Sequence, residues 1–285
     1  MWLDKLTSSQ ARAVDALAQR CAAADEVDPL NEEARFARSA GGARHRLIER
    51  GDTLAAYLTW SEAHGTAQLA VDPARRRAGL GSALLADLRQ ATRPRLWAFG
   101  DLPPARGFAD HHGLSPERTL LIMERRLDDL PPGGPPPAGF TLRGFGDADA
   151  PALLAVNAAA FAHHPEQGAL DADGLAARMA EDWFDPDGLI LAVDADGLAG
   201  FHWTKRHDAD LGEVYVIGVH PRAQGHGLGR VLLNAGLARL RGAGLRRVLL
   251  YVDSAEAVAV ELYATTGFHI AHRDVLYAPR TEELR

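Results

Sequence analysis

Val219-His220-Pro221-Arg222-Ala223-Gln224-Gly225-His226-Gly227-Leu228-Gly229 is the stretch that decides the fold. It joins the β-branched run Glu213–Val219, a predicted strand, to an amphipathic predicted helix from about Gly227 to Arg241. Glycines at such a turn permit positive φ and a close backbone approach. The free N–H groups of the following helix, together with its dipole, make a site for phosphate. Arg222 and Arg230 are placed to add charge-assisted contacts to a polyphosphate. No Gly-Lys-Ser/Thr follows, so this is not a Walker loop, and the spacing is not a dinucleotide fingerprint. Alone, the turn fits a tight structural connection equally well.

The same pattern occurs twice. Val71-Asp72-Pro73-Ala74-Arg75-Arg76-Arg77-Ala78-Gly79-Leu80-Gly81 repeats it at a constant offset, 219 − 71 = 227 − 79 = 229 − 81 = 148. Leu84 and Leu85 keep register with Leu232 and Leu233. A shared Val-x-Pro, Gly-Leu-Gly and Leu-Leu in one register reads as duplication. Between the copies, Leu127 to Phe140 holds five prolines and three glycines and almost no core-forming residues. That composition predicts a linker at 131–139 between domains at 1–130 and 140–285.

The 285 residues carry 47% hydrophobic and 24% charged side chains, which suits one or two soluble globular domains. A formal charge of −7 argues against a nucleic-acid or anionic-membrane partner. A single cysteine, Cys21, forms no internal disulfide and no zinc cluster, which fits a reducing cytoplasm. The first twenty residues have no apolar signal core, and no run approaches a membrane span. The expectation is a cytoplasmic, monomeric protein.

Local patterns fill in the frame. Thr7 and Gln10 form a capping box ahead of Val14, Leu17, Ala18 and Cys21 at helical spacing. Asp147 or Asp149 can cap a helix through Leu153, Leu154 and Val156. His45 to Trp60 reads as a hairpin turning at Gly51-Asp52, and Leu189 to Thr204 as one turning near Asp196-Gly197. A strand at 247–252, a helix at 257–265 and a last strand at 274–277 complete an α/β unit with a mixed sheet flanked by helices.

The form (Arg/Gln)-x-x-Gly-x-(Gly/Ala), present as Arg76–Gly81 and Gln224–Gly229, resembles the acetyl-CoA pyrophosphate loop of the GCN5-related N-acetyltransferases. The resemblance covers nearly the whole chain as two tandem domains. Phe161–Gly168, Gly200–Lys205 and Leu211–Val219 are further similar to the mycothiol synthase family, which acetylates the cysteinyl amine of cysteinyl-glucosamine-inositol with acetyl-CoA.

That resemblance implies the roles. The coenzyme is held by Arg76, Arg77, Ala78, Gly79, Leu80 and Gly81 with the strand end Leu69, Ala70 and Val71 in the first copy. In the second it is held by Gln224, Gly225, His226, Gly227, Leu228, Gly229 and Arg230 with Ile217, Gly218 and Val219. Gly218 is expected at a bulge or close approach. Glu213 is the implied general base and Tyr263 the implied acid for the CoA thiolate, a phenol of pKa ~10 serving a thiol of ~8.5. Glu256 stands where the family carries asparagine, and an ionised carboxylate cannot donate to the coenzyme. Glu32, Glu166, Lys205, Glu213 and Tyr251 are implied contacts of the polyhydroxylated acceptor. Singly, each has a structural reading: a strand-end carboxylate for Glu213, packing for Tyr263 and Tyr251, a solvated face for Glu32, an exposed strand end for Lys205.

The copies are not expected to be equal. Offset 148 sets Gly65 opposite Glu213, and anchoring on Gly113 and Gly267 sets Ala109 opposite Tyr263. Glu62 is a substitute base only if the alignment slips. The first copy therefore keeps a coenzyme loop and lacks the base and acid, and contributes Glu32 to the acceptor cleft. His163-His164 and His111-His112 have no partners at metal-ligand spacing, so no metal is expected. Another N-acetyltransferase and a non-enzymatic acetyl-CoA-binding protein are the alternatives.

Overall fold

The computed structural model describes residues 1–280 apart from Glu32, Glu33, Phe36, Ser39, Ala40, Pro132, His164, Pro165, Glu166 and Ala169. It divides into two compact units, one of Met1–Leu121 with Asp253–Ala255 and the C-terminal segment from His272, the other of Ile122–Val252 with Glu256–Ala271.

In the first unit, α1 (Ser8–Asp25) begins at the capping box. Thr7 Oγ1 accepts from Gln10 N, and Gln10 Oε1 accepts from Thr7 N. Val14, Leu17, Ala18 and Cys21 face the sheet and pack with Leu54, Tyr57 and Ala70. The meander β1 (Ala43–Arg50), β2 (Thr53–Ser61) and β3 (Thr66–Val71) is antiparallel. α2 (Leu80–Ala91) buries Leu80, Leu84, Leu85 and Leu88 among Ala56, Leu58 and Ala67. β4 (Leu96–Ala98) runs parallel to β3, and α3 (Pro103–His111) leads to β5 (Leu114–Arg126).

The second unit repeats the plan. β6 (Thr141–Gly144), α4 (Ala150–Ala160) and α5 (Ala172–Met179) precede β7 (Leu189–Asp194), β8 (Gly197–Arg206) and β9 (Leu211–Val219). Then come α6 (Leu228–Gly242), β10 (Arg247–Asp253) and α7 (Ala257–Thr265), followed by β11 (His269–Pro279), most of which belongs to the first unit. Leu153, Val156 and Leu175 of α4 and α5 cover one face with Leu191, Phe201, Trp203 and Val216, whereas Leu228 and Leu232 of α6 cover the other with Ala192 and Ala199. Adjacent residues such as Leu191 and Ala192 thus feed opposite cores, as the strand period of two requires, and the register shift at Ala199 lets it and Phe201 face opposite cores. Each unit is a mixed sheet between helices, as expected.

Some details differ from the sequence reading. The compact units do not follow the linear boundaries: Val275, Leu276 and Tyr277 of β11 pair with Ala98, Trp97 and Leu96, inside the first unit. Tyr277 also donates to Asp101 Oδ1 at 2.7 Å, and Gly100 N donates to Asp274 Oδ1 at 2.8 Å. A proline-rich linker marks a composition change, but ladder hydrogen bonds between distant segments decide which strand belongs where. Asp149 precedes α4 without capping it, because its carboxylate accepts from Gly146 N and pairs with Arg143.

Candidate functional site

The glycine turn is built as a cradle. Gly225 and Gly227 sit at φ +79° and +77°, and a Cβ on either would meet nothing within 4 Å. Gly227 starts α6 with no side-chain cap, so the first helical N–H groups face open space beside the turn. Gln224 Nε2 donates to Val219 O at 3.2 Å and ties the turn to its strand. Arg230 donates to Thr265 Oγ1 at 3.0 Å, linking α6 to α7. Arg222 has a different task from the one expected. Its guanidinium is held by Asp194 at 2.5 and 3.1 Å, an ion pair that lowers the Asp194 carboxyl below its usual range and fixes the strand end.

The parallel ladder between β9 and β10 is short. It runs Arg247↔Leu211, Val248↔Gly212 and Leu249↔Glu213 and stops there. Beyond Glu213 the two strands are no longer paired to each other, which leaves Val214–Val219 with backbone groups on that edge for a ligand. Glu213 therefore sits at the apex of the opening, and the glycine turn at its far end. The Glu213 side chain is buried, and its Oε2 lies 2.7 Å from His207 Nε2.

Across the sheet Glu213 pairs with Lys205, so both project to the face of α4 and α5. The Lys205 ammonium lies 4.8 Å from the Trp183 ring centre and 5.3 Å from that of Tyr215, inside cation–π range. Arg178 of α5 donates to the Tyr215 hydroxyl at 2.9 Å. A cleft of about 190 Å³ opens here, lined by Gln167, Asp171, Arg178, Trp203 and Tyr215. Buried Trp203 Nε1 has no partner among the described residues. Tyr251, two residues past Leu249, shares the Glu213 face and is half exposed.

The bulge lies elsewhere than expected. The β8–β9 register steps from Trp203↔Val216 to Thr204↔Val214, which makes Tyr215 the extra residue. Gly218 pairs regularly with Phe201, and a Cβ there would come within 2.9 Å of the Phe201 ring and 3.3 Å of the Phe161 ring. Close approach, by aromatic rings, is what glycine serves there.

Tyr263 on α7 is buried against Phe268, edge to face at 5.8 Å, and desolvation pushes its hydroxyl up to about 12. Its helix reaches the glycine turn through Leu262, 3.8 Å from where a Cβ on Gly229 would lie, and through Thr265. Glu256 precedes α7 and is exposed. Glu32, Glu166 and His164 lie outside the described residues. Among the described residues no three His, Cys, Asp or Glu side chains come together as a metal site, and no helix is long and apolar enough to cross a membrane.

The first unit carries the same turn. Gly79 has φ +77°, as Gly227 does, and Arg77 is held at φ +64° where the second unit uses Gly225. A non-glycine in that region is costly, so the loop shape overrides residue preference. Arg76 Nε donates to Val71 O at 3.3 Å, the counterpart of Gln224 on Val219. Its Nη atoms are committed to Asp25 at 2.8 and 2.6 Å. A cleft of about 620 Å³ runs from Leu69–Val71 past Arg77, Gly79 and Gly81 to Phe108 and Tyr277.

Its chemical centre is different. Aligning the hairpins at Ala56↔Val71 and Gly200↔Val219 matches Ser61↔Thr66 with Lys205↔Glu213, because β9 has one extra residue. The counterpart of Glu213 is therefore Thr66 and not Gly65, which lies in the turn before β3. Glu62 is no substitute, being largely exposed beside Arg44. Gln68 fills the neighbouring space by exchanging hydrogen bonds with Asn31 at 3.0 and 2.7 Å. Ala109, opposite Tyr263, is buried in the core.

His207 and Trp183 were missed in the sequence. The signal for His207 was its place in the same hairpin as Glu213; no pattern pointed to Trp183.

The Acetyltransferase (GNAT) family model matches residues 158–268. The chain is 45% identical to a mycothiol acetyltransferase of Actinosynnema mirum, covering 97% of this chain and 98% of that one. It is 46% identical to one of Thermomonospora curvata, covering 96% and 95%. Among solved structures, a tandem GNAT protein from the clavulanic acid biosynthesis pathway matches with TM-score 0.73 at 20% identity, over 97% of both chains. A GCN5-related N-acetyltransferase from Sphaerobacter thermophilus matches with TM-score 0.70 at 24% identity, over 97% and 94%.

Proposed function

The chain belongs to the mycothiol acetyltransferase family of GNAT enzymes, and we propose that it acetylates the cysteinyl amine of cysteinyl-glucosamine-inositol, giving mycothiol and CoA. Chemistry is assigned to the second unit. Residues 1–130 and 140–285 are taken as the two repeats, the first a coenzyme-binding copy without turnover. The reading is of a monomer acting in the cytoplasm.

The second-unit turn fits a pyrophosphate, since two left-handed glycines leave an uncapped helix end beside open space. Gly225 to Arg230 would hold it, with Ile217–Val219 along the opened strand. Acetyl-CoA supplies the acetyl thioester when bound. Glu213 takes the proton of the acceptor ammonium, whose reference pKa is ~7.7–8.0. Tyr263 stays protonated through neutral pH and can give its proton to the departing thiolate. The dry surroundings that raise the phenol raise a thiolate's proton affinity as well, so the transfer is not set by values in water. Lys205, Tyr251 and the polar cleft around Trp203 offer partners to a hydroxyl-rich acceptor.

One observation carries this: Glu213 stands on the last rung of the β9–β10 ladder, on the strand that ends at the coenzyme turn. Mass spectrometry after incubation with acetyl-CoA and cysteinyl-glucosamine-inositol tests it. An acceptor heavier by one acetyl group on the cysteinyl nitrogen is expected. Acetylation only of other amines in a panel would replace the acceptor assignment, and binding without product would leave a coenzyme-binding protein.

A further inference from the structure

We infer that His207 is a positioning residue for acetyl transfer: its Nε2–H donates to Glu213 Oε2, aims the carboxylate and leaves Oε1 for the acceptor amine. The inference rests on the reading of Glu213 as the base.

The bond is 2.7 Å long, between a His207 side chain about one-third exposed and a Glu213 side chain that is almost fully buried. His207 is placed by a fixed turn. Its N donates to Leu211 O at 3.0 Å, and Asp208 Oδ1 accepts from Asp210 N and Leu211 N at 2.7 and 2.9 Å. A buried carboxylate loses hydration, and a hydrogen bond to its charged form offsets part of that loss. The imidazole supplies this bond from a nitrogen it keeps protonated in the neutral ring or in the imidazolium.

The charged groups around the pair have contacts of their own. Lys205 on β8 lies over the Trp183 and Tyr215 rings, and Arg178 on α5 is bonded to the Tyr215 hydroxyl. Arg247 on β10 is paired with Asp210, as is Arg246 just before it, and Tyr251 lies farther along β10. His207 thus donates to the Glu213 carboxylate from the turn that precedes β9.

The test compares His207→Ala, His207→Gln and Glu213→Gln in the full-length enzyme, measuring kcat and KM for both substrates from pH 5.5 to 9. His207→Ala should lower kcat about tenfold near neutrality, with the loss deepening toward acid pH because the carboxylate has lost a donor to its charged form. Coenzyme affinity should be unchanged. His207→Gln, which keeps an N–H donor, should recover most of both effects; the acceptor amine titrates alike in all three proteins. A loss equal at every pH and unrescued by glutamine would overturn the proposal, leaving His207 a structural residue. So would a wild-type rate and profile in His207→Ala while Glu213→Gln is inactive. Full activity in Glu213→Gln would overturn the base assignment, and the proposal with it.

Discussion

The two glycine turns are alike in backbone shape and their centres are not. Gly79 and Gly227 both sit at φ +77°, and Arg76 and Gln224 tie the turn to the same carbonyl position of their strands. A few residues upstream the likeness ends. The second unit has an extra residue in β9, Glu213 bonded to His207, and Lys205 across the ladder. The first has Thr66, Ser61 and a closed Gln68–Asn31 pair at the matching places. The turn is a backbone device, kept by shape even where an arginine must adopt a left-handed conformation. An acid–base centre depends on side-chain identity and is lost by single substitutions.

The two units differ most consequentially at Glu213. Glu213→Gln should lower turnover by about 10²–10⁴ while coenzyme binding persists, since the amide keeps the shape without the base. The matching change, Thr66→Gln, should leave turnover near wild type; steady-state rates for both variants decide it, and equal losses would end the asymmetry. Tyr263→Phe should cost about 10² in kcat with coenzyme affinity intact. A wild-type rate there would make Tyr263 a packing residue. Lys205→Ala should raise the acceptor KM about tenfold, the loss of one charged donor, and leave the coenzyme KM in place. A coenzyme defect alone would move Lys205 out of the acceptor site.

Much of this was legible in the sequence. The capping box at Thr7 and Gln10, the apolar face of α1, both hairpins and the bounds of α7 follow from local periodicity and turn chemistry, which the structure obeys. What escaped depended on pairing. A constant offset cannot register a bulge, so it set Gly65 opposite Glu213 when the hydrogen-bonded register sets Thr66 there. Nor could composition reveal that Val275–Tyr277 joins the ladder of Leu96–Ala98, a contact between segments far apart in the chain. Arg222 looked available for phosphate because its partner Asp194 belongs to the preceding hairpin.

A smaller, shared effect comes from buried histidines, one in each unit. Burial lowers His45 and His202 to about 4, well under the ordinary 6.5. Between those values the unfolded chain takes up protons that the folded chain refuses, so stability falls as pH falls from about 6.5 toward 4. Thermal unfolding followed from pH 7 to 4.5 should show Tm declining in that window, above the range where most carboxylates protonate. A flat Tm would mean these imidazoles do not govern acid stability.

On the proposed function both turns hold coenzyme and only the second serves chemistry. Gly79→Val and Gly227→Val form a matched pair, because each residue has φ +77° and open space for a Cβ. The strain of a left-handed non-glycine, about 1–2 kcal/mol, is then the same in both. Acetyl-CoA stoichiometry by equilibrium dialysis, measured beside acetylation rate on protein shown to be folded, gives the answer. Each variant should bind one coenzyme fewer than wild type, and Gly227→Val alone should lose acetylation. If Gly79→Val abolished acetylation while Gly227→Val spared it, the catalytic centre would belong to the first unit.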